Sequence, residues 1–136
     1  MKKITPSGFQ FKNPKIKYLL FHVNENFDET KYEGLDVSYG ARISEKVDST
    51  AAVDLQIRVG EKSEKTPYFL ELVIFSEFRW TDDIDGNVDS YLKCNATIAL
   101  MSYARPIIAH TTSDAGFGAF NLPFVDIRDD FQAEGN

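Results

Sequence analysis

The chain contains one set of residues whose types could support nucleophilic catalysis: Cys94 as nucleophile, His110 as base and Asp114 as orienting acid. All three fall in or beside a segment that the sequence predicts to be one helix. A helix rises about 1.5 Å per residue, so Cys94 and His110 would be about 24 Å apart, far beyond hydrogen-bond reach. We therefore expect no catalytic triad. We predict instead that His110 and Asp114 pair one turn apart near the helix C-terminus.

The acidic turn from Asp82 to Asp89 has residue types that could bind calcium. With Gly86 at the invariant glycine of an EF-hand loop, Thr81 falls where the first aspartate belongs and Leu92 where the bidentate glutamate belongs. The pattern fails at both ends, so a tight turn with Asp89 as a helix N-cap is the better interpretation. The short motifs of nucleotide-binding loops, zinc proteases and serine hydrolases are also missing. The sequence favours a binding protein over an enzyme, with no metal and no cofactor.

Length and charge narrow the class of protein. At 136 residues the chain is predicted to form one domain, residues 1–136, large enough to bury about two-thirds of its unfolded surface. A formal net charge of −6 argues against nucleic acid, whose phosphates require a basic face, and favours a basic partner. A single cysteine rules out an internal disulfide, and the first residues lack the apolar run of a secretory signal. We expect a cytoplasmic protein.

One long helix is expected to organise the fold. Between Asn95 and Ser113 the only formal charge is Arg105, and apolar residues cover two flanks of the projected helix. The third flank is a row of small residues spaced 4, 3, 4, 3, 4: Asn95, Ala99, Ser102, Pro106, Ala109 and Ser113. One sheet covers only one side of a helix, so a second subunit is expected on this row. We predict a homo-oligomer, a tetramer in preference to a dimer, with Ala99, Ser102 and Ala109 in its interface.

Two alternatives exist for this helix. It could be the central core helix of a monomer, because helices that are apolar all round usually lie inside proteins. A membrane span is disfavoured by its many polar residues, so no membrane insertion is expected. Pro106 removes one helical hydrogen bond and is expected to kink the helix.

Four strands are predicted before the helix. The first lies within Phe9–Val23, whole or broken at Pro14, and alternating apolar residues predict the second over 35–44 and the third over 53–60. The fourth, 69–80, is apolar on both faces, so it is central or reserves one face for a partner. The predicted fold class is α+β, a four-stranded antiparallel sheet with a long helix packed on one side.

Several short motifs resemble the SecB-type protein-export chaperones. The tripeptide YAR at 103–105 is followed by GF at 116–117 and NLP at 121–123, in the order of that family's helix and following loop. The FQF run at 9–11 resembles the family's first strand, and FLEL at 69–72 resembles its fourth. The resemblance spans nearly the whole chain.

The resemblance implies dimers that form through the sheet edge and pair through helices into a tetramer. It also implies an ATP-independent chaperone that binds unfolded chains or preproteins in apolar grooves and passes them to the motor SecA, without nucleotide or metal. The candidate groove residues are aromatic: Phe75, Phe78, Trp80, Phe117, Phe120 and Phe124. Core packing is the alternative for each of them.

The motor-docking surface departs from the family pattern. The resemblance implies Phe69 and Glu71 as docking residues on the fourth strand, but Tyr18 and His22 stand where first-strand acids are expected. Only residues 128–136 follow the apolar segment, where the family has a C-terminal helix and tail. Docking to SecA is therefore in doubt.

Two other functions stay open. One is a dedicated SecB-like chaperone of a single partner, such as the antitoxin of a toxin–antitoxin pair. The other is a small-ligand binding protein on the same scaffold, for which Arg105, His110 and Asp114 are the polar candidates. An enclosed cavity would support the ligand binder, whereas an open apolar surface would support a chaperone.

Overall fold

A computed structural model describes residues 1–84 and 86–127. Its regular elements, in chain order, are strands β1 Phe9–Phe11, β2 Lys15–Val23, β3 Val37–Ile43, β4 Thr50–Gly60 and β5 Tyr68–Trp80, then helix α1 Val88–Ser90, a π-helical segment Tyr91–Asn95 and helix α2 Ala96–Asp114. A 3-10 turn, Glu29–Lys31, lies between β2 and β3. The predicted turn residue Asp85 and the segment 128–136 lie outside the described residues.

The sheet is antiparallel and has five strands within the described residues, one more than the sequence predicted. β3, β4 and β5 are neighbours in that order, and both β1 and β2 pair with the far side of β5. Pro14 lies between β1 and β2, where its missing N–H ends the first strand, so the broken alternative is the correct one. The register of β2 shifts between Ile16 and Tyr18, which places a bulge at Lys17.

The apolar alternation of β4 and β5 produces the core. Every second residue of β5 from Tyr68 to Phe78 is buried, and so is every second residue of β4 from Ala51 to Val59. These side chains share the inner face of the sheet, against which α2 packs with Leu100, Ala104 and Ile108 fully buried. The predicted two-faced character of β5 is confirmed, since Phe69, Val73 and Phe75 lie on the opposite, outer face.

The first helix is capped two residues earlier than the sequence predicted. The side chain of Asn87 accepts a hydrogen bond from the Asp89 N–H at 2.8 Å, so Asn87 is the N-cap and Asp89 lies in the first turn. Asp89 instead forms an ion pair with Lys46 in the β3–β4 connection. Pro106 lies inside α2, which continues to Asp114. No helix in the described ranges is long and apolar enough to cross a membrane.

Candidate polypeptide-binding surface

The inner face of β2 is apolar but lies beyond the cover of α2. Ile16, Leu19 and Val23 are 49%, 42% and 47% exposed, although they occupy the same face as the fully buried residues of β5. Isolated exposed apolar residues are ordinary, but a row of them along one strand face marks a binding surface. We call these three residues, together with Phe21 and Phe117, the apolar strip.

The rings of Phe21, Tyr68 and Phe117 pack together where the apolar strip meets the core. The Phe117 ring centroid lies 5.8 Å from that of Phe21 and 5.1 Å from that of Tyr68, and the Phe21 and Tyr68 centroids are 5.0 Å apart. Tyr68 is buried under the other two, and this burial raises the pKa of its phenol. Phe117 remains 41% exposed, so the cluster has one open side that a partner could contact.

Phe117 is held over the strip by the way α2 ends. The Gly116 N–H donates to the Ser113 carbonyl and the Phe117 N–H donates to the Thr112 carbonyl, which is the Schellman arrangement. Gly116 has a φ of 92°, a left-handed conformation that favours glycine. The helix end thus sets the position from which the Phe117 side chain reaches β2.

Thr112 fixes the chain after this turn. It is fully buried, its hydroxyl donates to the Ile108 carbonyl at 2.8 Å, and the same oxygen accepts from the Phe120 N–H at 2.8 Å. Leu122 and Ile127 then enter the core. The segment 120–127, which we call the return segment, is therefore anchored at both ends.

Arg105 connects the YAR motif to the NLP motif. Its Nη2 atom donates to the Pro123 carbonyl at 2.9 Å, and its guanidinium carbon lies 5.3 Å from the Phe124 ring centroid. Tyr103 on the same helix contacts Phe11 edge-on, with ring centroids 6.0 Å apart. Two residues on a helix are about 200° apart, so the return segment runs along the flank of α2 that faces away from β1.

The six predicted groove residues do not form one surface. Phe117, Phe120 and Phe124 follow α2 on the inner side, with Phe120 packed against the core and Phe124 98% exposed. Phe75 is on the outer face of β5, where Lys17 Nζ lies 4.8 Å from its ring centroid. The sheet therefore separates Phe75 from the other three.

The two remaining groove candidates, Phe78 and Trp80, both lie on the inner face of β5. Phe78 is fully buried between the rings of Phe9 and Phe11, each at a centroid distance of 5.5 Å. The core alternative is thus correct for Phe78, and its assignment to a groove is wrong. Trp80 is half-buried against the core at the end of β5, opposite Phe9.

The predicted docking residues Phe69 and Glu71 lie together on the outer face. Glu71 Oε2 accepts from Arg58 Nε at 2.6 Å and from Gln56 Nε2 at 2.8 Å, and its side chain is 16% exposed. Lys62 Nζ lies 5.5 Å from the Phe69 ring centroid. Both hydrogen bonds end on Oε2, so one of the two carboxylate oxygens of Glu71 is engaged within the sheet.

The small-residue row of α2 faces away from the sheet. Ser102 and Pro106 are exposed, while Ala99 and Ala109 are half-buried. Ile98, next to Ala99 of this row, is 52% exposed. The row is therefore available to a second subunit.

The polar candidates for a small-ligand site do not converge. Arg105 is committed to Pro123 and Phe124, and His110 lies about 140° away around the helix. The expected ion pair between His110 and Asp114 does not form within the described part of the chain. No group of metal-ligating side chains occurs in residues 1–84 and 86–127.

Sequence reasoning missed Ile16, Leu19 and Val23. Their alternation was visible as a strand pattern, but nothing local shows that α2 stops short of them. The useful signal was Pro14, because proline within a sheet is confined to edge strands, the starts of strands and bulges.

No protein-family model and no curated protein sequence matches the chain. Among solved structures, the SecB-like chaperone Rv1957 of Mycobacterium tuberculosis, in complex with a ChAD peptide from the HigA1 antitoxin Rv1956, has a TM-score of 0.68. The match covers 87% of this chain and 88% of that one, at 10% identity. A Streptococcus agalactiae protein of unknown function has a TM-score of 0.59 at 9% identity, over 88% of this chain and 100% of its own.

These likenesses establish the fold. The chain has a SecB-like α+β fold, as the sequence motifs predicted, with an antiparallel sheet and one long helix on one side of it. At about a tenth identity, the activity and the partner of the similar chaperone do not transfer with the fold.

Proposed function

We propose that the protein is an ATP-independent chaperone that binds unfolded or preprotein chains on the apolar strip. The observation that carries the proposal is the exposure of Ile16, Leu19 and Val23 along one face of β2, beside the half-exposed ring of Phe117. Apolar burial contributes on the order of 25 cal/mol per Å² and depends little on client sequence, which suits the binding of many unfolded chains. The proposal requires no covalent chemistry, nucleotide or metal, and we place the activity in the cytoplasm.

The fold likeness supports this proposal independently of the strip. A SecB-like chaperone of similar structure is in complex with a peptide, so this scaffold is compatible with polypeptide binding. Three depressions lined by described residues, near Asn24, Gly34 and Gly40, are open to solvent, so none of the three encloses a small ligand.

An aggregation-suppression assay with a chemically unfolded client tests the proposal. Phe117→Ser and Leu19→Ser each remove apolar area from the strip, and we expect each to weaken suppression several-fold while thermal unfolding changes little. Val47→Ser is the matched control, since Val47 is 58% exposed but lies in the β3–β4 connection. Equal suppression by all three variants and the parent would remove the strip from the mechanism.

The narrower choice is between a general chaperone and a dedicated one. The antitoxin peptide in the similar structure favours including a dedicated antitoxin chaperone as a candidate. A general chaperone should suppress the aggregation of several unrelated clients with comparable midpoints. A dedicated one should protect a single partner at stoichiometric concentration and leave the unrelated clients unprotected.

A finer part of the proposal is the delivery of bound clients to SecA. Glu71 retains one feature of the family's docking surface, but Arg58 and Gln56 already occupy its carboxylate. A binding titration with purified SecA tests it, with Glu71→Lys as the variant that should abolish an interaction made through this residue. Failure of the titration would leave the binding of unfolded chains untouched.

We also propose a homo-oligomer, a tetramer or a dimer, held in part by the outward row of α2. Ala99 and Ala109 are small enough to let a second helix approach closely, and Ser102 is exposed between them. Ala109→Arg would place a charge in that contact, and burying an unpaired charge costs several kcal/mol. Light scattering should then report a smaller species. An unchanged mass for Ala109→Arg would show that the row faces solvent.

A further inference from the structure

The outer face of the sheet, on the side away from α2 and the apolar strip, has a charge opposite to that of the whole protein. Among the strand residues on this face, three are anions and five are cations: Asp54, Glu71, Glu77, Lys15, Lys17, Arg42, Arg58 and Arg79. Five positive minus three negative charges leave +2, against −6 for the whole chain. An acidic protein thus presents one flat, net cationic surface.

Ion pairing leaves specific cations of this face free. Asp54 pairs with Lys17 Nζ at 2.7 Å, Glu71 pairs with Arg58, and Glu77 faces Lys12 Nζ at 3.5 Å from beyond the end of β1. All three carboxylates are therefore taken. Within the part of the chain that the structure describes, Lys15, Arg42 and Arg79 have no carboxylate partner.

The strand register arranges this face in transverse rows. One row reads Lys15, Phe75, Asp54 and Arg42 from β2 to β3. The next row contains no charge at all: Tyr18, Val73, Gln56 and Gly40. The row after it is charged again, with Glu71 and Arg58 at its centre. An uncharged row of side chains therefore crosses the sheet between two charged rows.

A depression lies at the end of this uncharged row where Gly40 has no side chain. Gly40 is on the edge strand β3, and an added Cβ would meet nothing within 4 Å, so backbone geometry does not require glycine here. The depression has a volume of about 260 Å³ and is lined by Gly40, Ala41, Arg42, Asp54, Gln56 and Val73. Asp54 is opposite Arg42 but its carboxylate pairs with Lys17. Pockets that enclose a small ligand are usually about 300–1,000 Å³, so this open space suits part of a larger partner.

We infer that this outer face docks an extended acidic segment of a partner polypeptide, with a carboxylate against Arg42 and a neighbouring apolar side chain over Gly40 and Val73. Complementary charge selects the partner, because the carboxylates of the face are already paired and its free groups are cationic. A nucleic acid fits less well, since three free cations on a protein of charge −6 are few for a phosphate backbone. The inference goes beyond the proposed function: the apolar strip lies on the other side of the sheet, and Glu71, the residue proposed for SecA docking, lies on this face two rows from Arg42.

Fluorescence anisotropy with the full chain tests the inference. The probes are labelled ten-residue peptides that carry two phenylalanines and four aspartates, the same peptide with lysine for aspartate, and the aspartate peptide with serine for phenylalanine. We expect the first peptide to bind about tenfold more tightly than either of the others at low salt. Equal binding of the aspartate and lysine peptides would overturn the inference, and so would preferential binding of a single-stranded oligonucleotide.

Two variants assign the binding to this face. Arg42→Glu should weaken the aspartate–phenylalanine peptide about tenfold, whereas Lys65→Glu, the same charge change in the β4–β5 connection, should change it less than about twofold. The Cβ of a residue at position 40 would meet nothing within 4 Å, so Gly40→Leu should place its side chain in the depression and weaken binding, while Gly40→Ala should not. If Arg42→Glu and Lys65→Glu behave alike, only net charge matters and the site is refuted.

The same variants separate this inference from the chaperone proposal. Arg42→Glu should suppress client aggregation as well as the parent does, because the apolar strip is on the other side of the sheet. Phe117→Ser should bind the acidic peptide normally and suppress aggregation poorly. A Phe117→Ser variant that loses the acidic peptide would place that peptide on the strip and overturn the outer-face assignment.

Discussion

The inner faces of β5 and β2 carry the same kind of apolar side chains, but those of β5 are buried and several of those of β2 are exposed. Cross-strand partners make the comparison direct: Leu72 is fully buried, while Leu19 opposite it is 42% exposed. Ile74 and Ile16 differ in the same way, at 1% and 49% exposed. The two strands are hydrogen-bonded neighbours, so the difference comes from what lies above them.

The width of a helix explains the difference. A helix with its side chains is about 10 Å across and strands are about 4.8 Å apart, so α2 covers roughly two strands. The return segment extends that cover on the flank of α2 that Arg105 marks, away from β1. On the edge strand β2 the Phe117 ring packs on Phe21, while Ile16, Leu19 and Val23 stay exposed and are available for a partner.

The largest effect should come from truncating the two opposed leucines. Leu72→Ala deletes fully buried atoms and should lower the free energy of unfolding by about 2–5 kcal/mol. Leu19→Ala removes atoms that already contact water and should cost less than about 1 kcal/mol. Chemical denaturation of the two variants, in parallel and at several protein concentrations, measures both values.

Concentration dependence sharpens this comparison. If a second copy covers β2 in solution, Leu19→Ala should become more destabilising as the parent oligomer forms, because Leu19 is then buried. Equal losses for Leu72→Ala and Leu19→Ala at low concentration would contradict the assignment of β2 as uncovered in the single chain.

The sequence predicted which residues share a face but not which face is covered. Side chains on a strand have a period of two, which places Leu72 and Phe78 on one face of β5 and Phe75 on the other. Alternation could not separate Phe78 from Phe117 as core and surface, since both are phenylalanines in apolar surroundings. Burial depends on the path of α2 and the return segment, which is a property of the tertiary fold. The YAR and NLP motifs did carry long-range information, because Arg105 binds the Pro123 carbonyl.

The second prediction concerns the return segment, which extends the cover of α2 over the inner face of the sheet on the flank away from β1. Thr112→Val keeps the shape of the side chain but removes the acceptor of the partly buried hydrogen bond from the Phe120 N–H. Leaving that donor without a partner should cost about 1–3 kcal/mol. Denaturation measures the loss, and faster hydrogen exchange at the Phe120 amide locates it.

Thr112→Ser is the control, because it restores the hydroxyl and removes only a methyl group. It should recover most of the slow exchange at the Phe120 amide. Slow exchange that persists in Thr112→Val would mean that packing of Leu122 and Ile127, and not the hydrogen bond, holds the return segment.

The smallest effect should appear at Tyr68, where the covered and uncovered regions meet. Tyr68 is buried and its cross-strand partner Val23 is 47% exposed, with the Phe117 ring over the boundary. Burial raises the pKa of the Tyr68 phenol because the phenolate is poorly solvated there. The unfolded chain ionises this group near its ordinary value of about 10, and the folded chain ionises it only at higher pH.

The sign of the pH effect follows from that order. Below about pH 10 both states hold the proton and the contribution of Tyr68 to stability is fully present. As the pH rises from about 10 through the folded pKa, the unfolded state loses its proton first, so the free energy of unfolding falls. The parent should therefore lose slightly more stability than Tyr68→Phe over this range, measured by urea denaturation at matched pH values. Phe117→Ala should reduce the difference, because opening the cluster hydrates the phenol and lets its pKa fall toward the ordinary value. Parallel pH profiles for the parent and Tyr68→Phe would show that water already reaches Tyr68, and the boundary between the core and the apolar strip would then lie deeper, at Leu70.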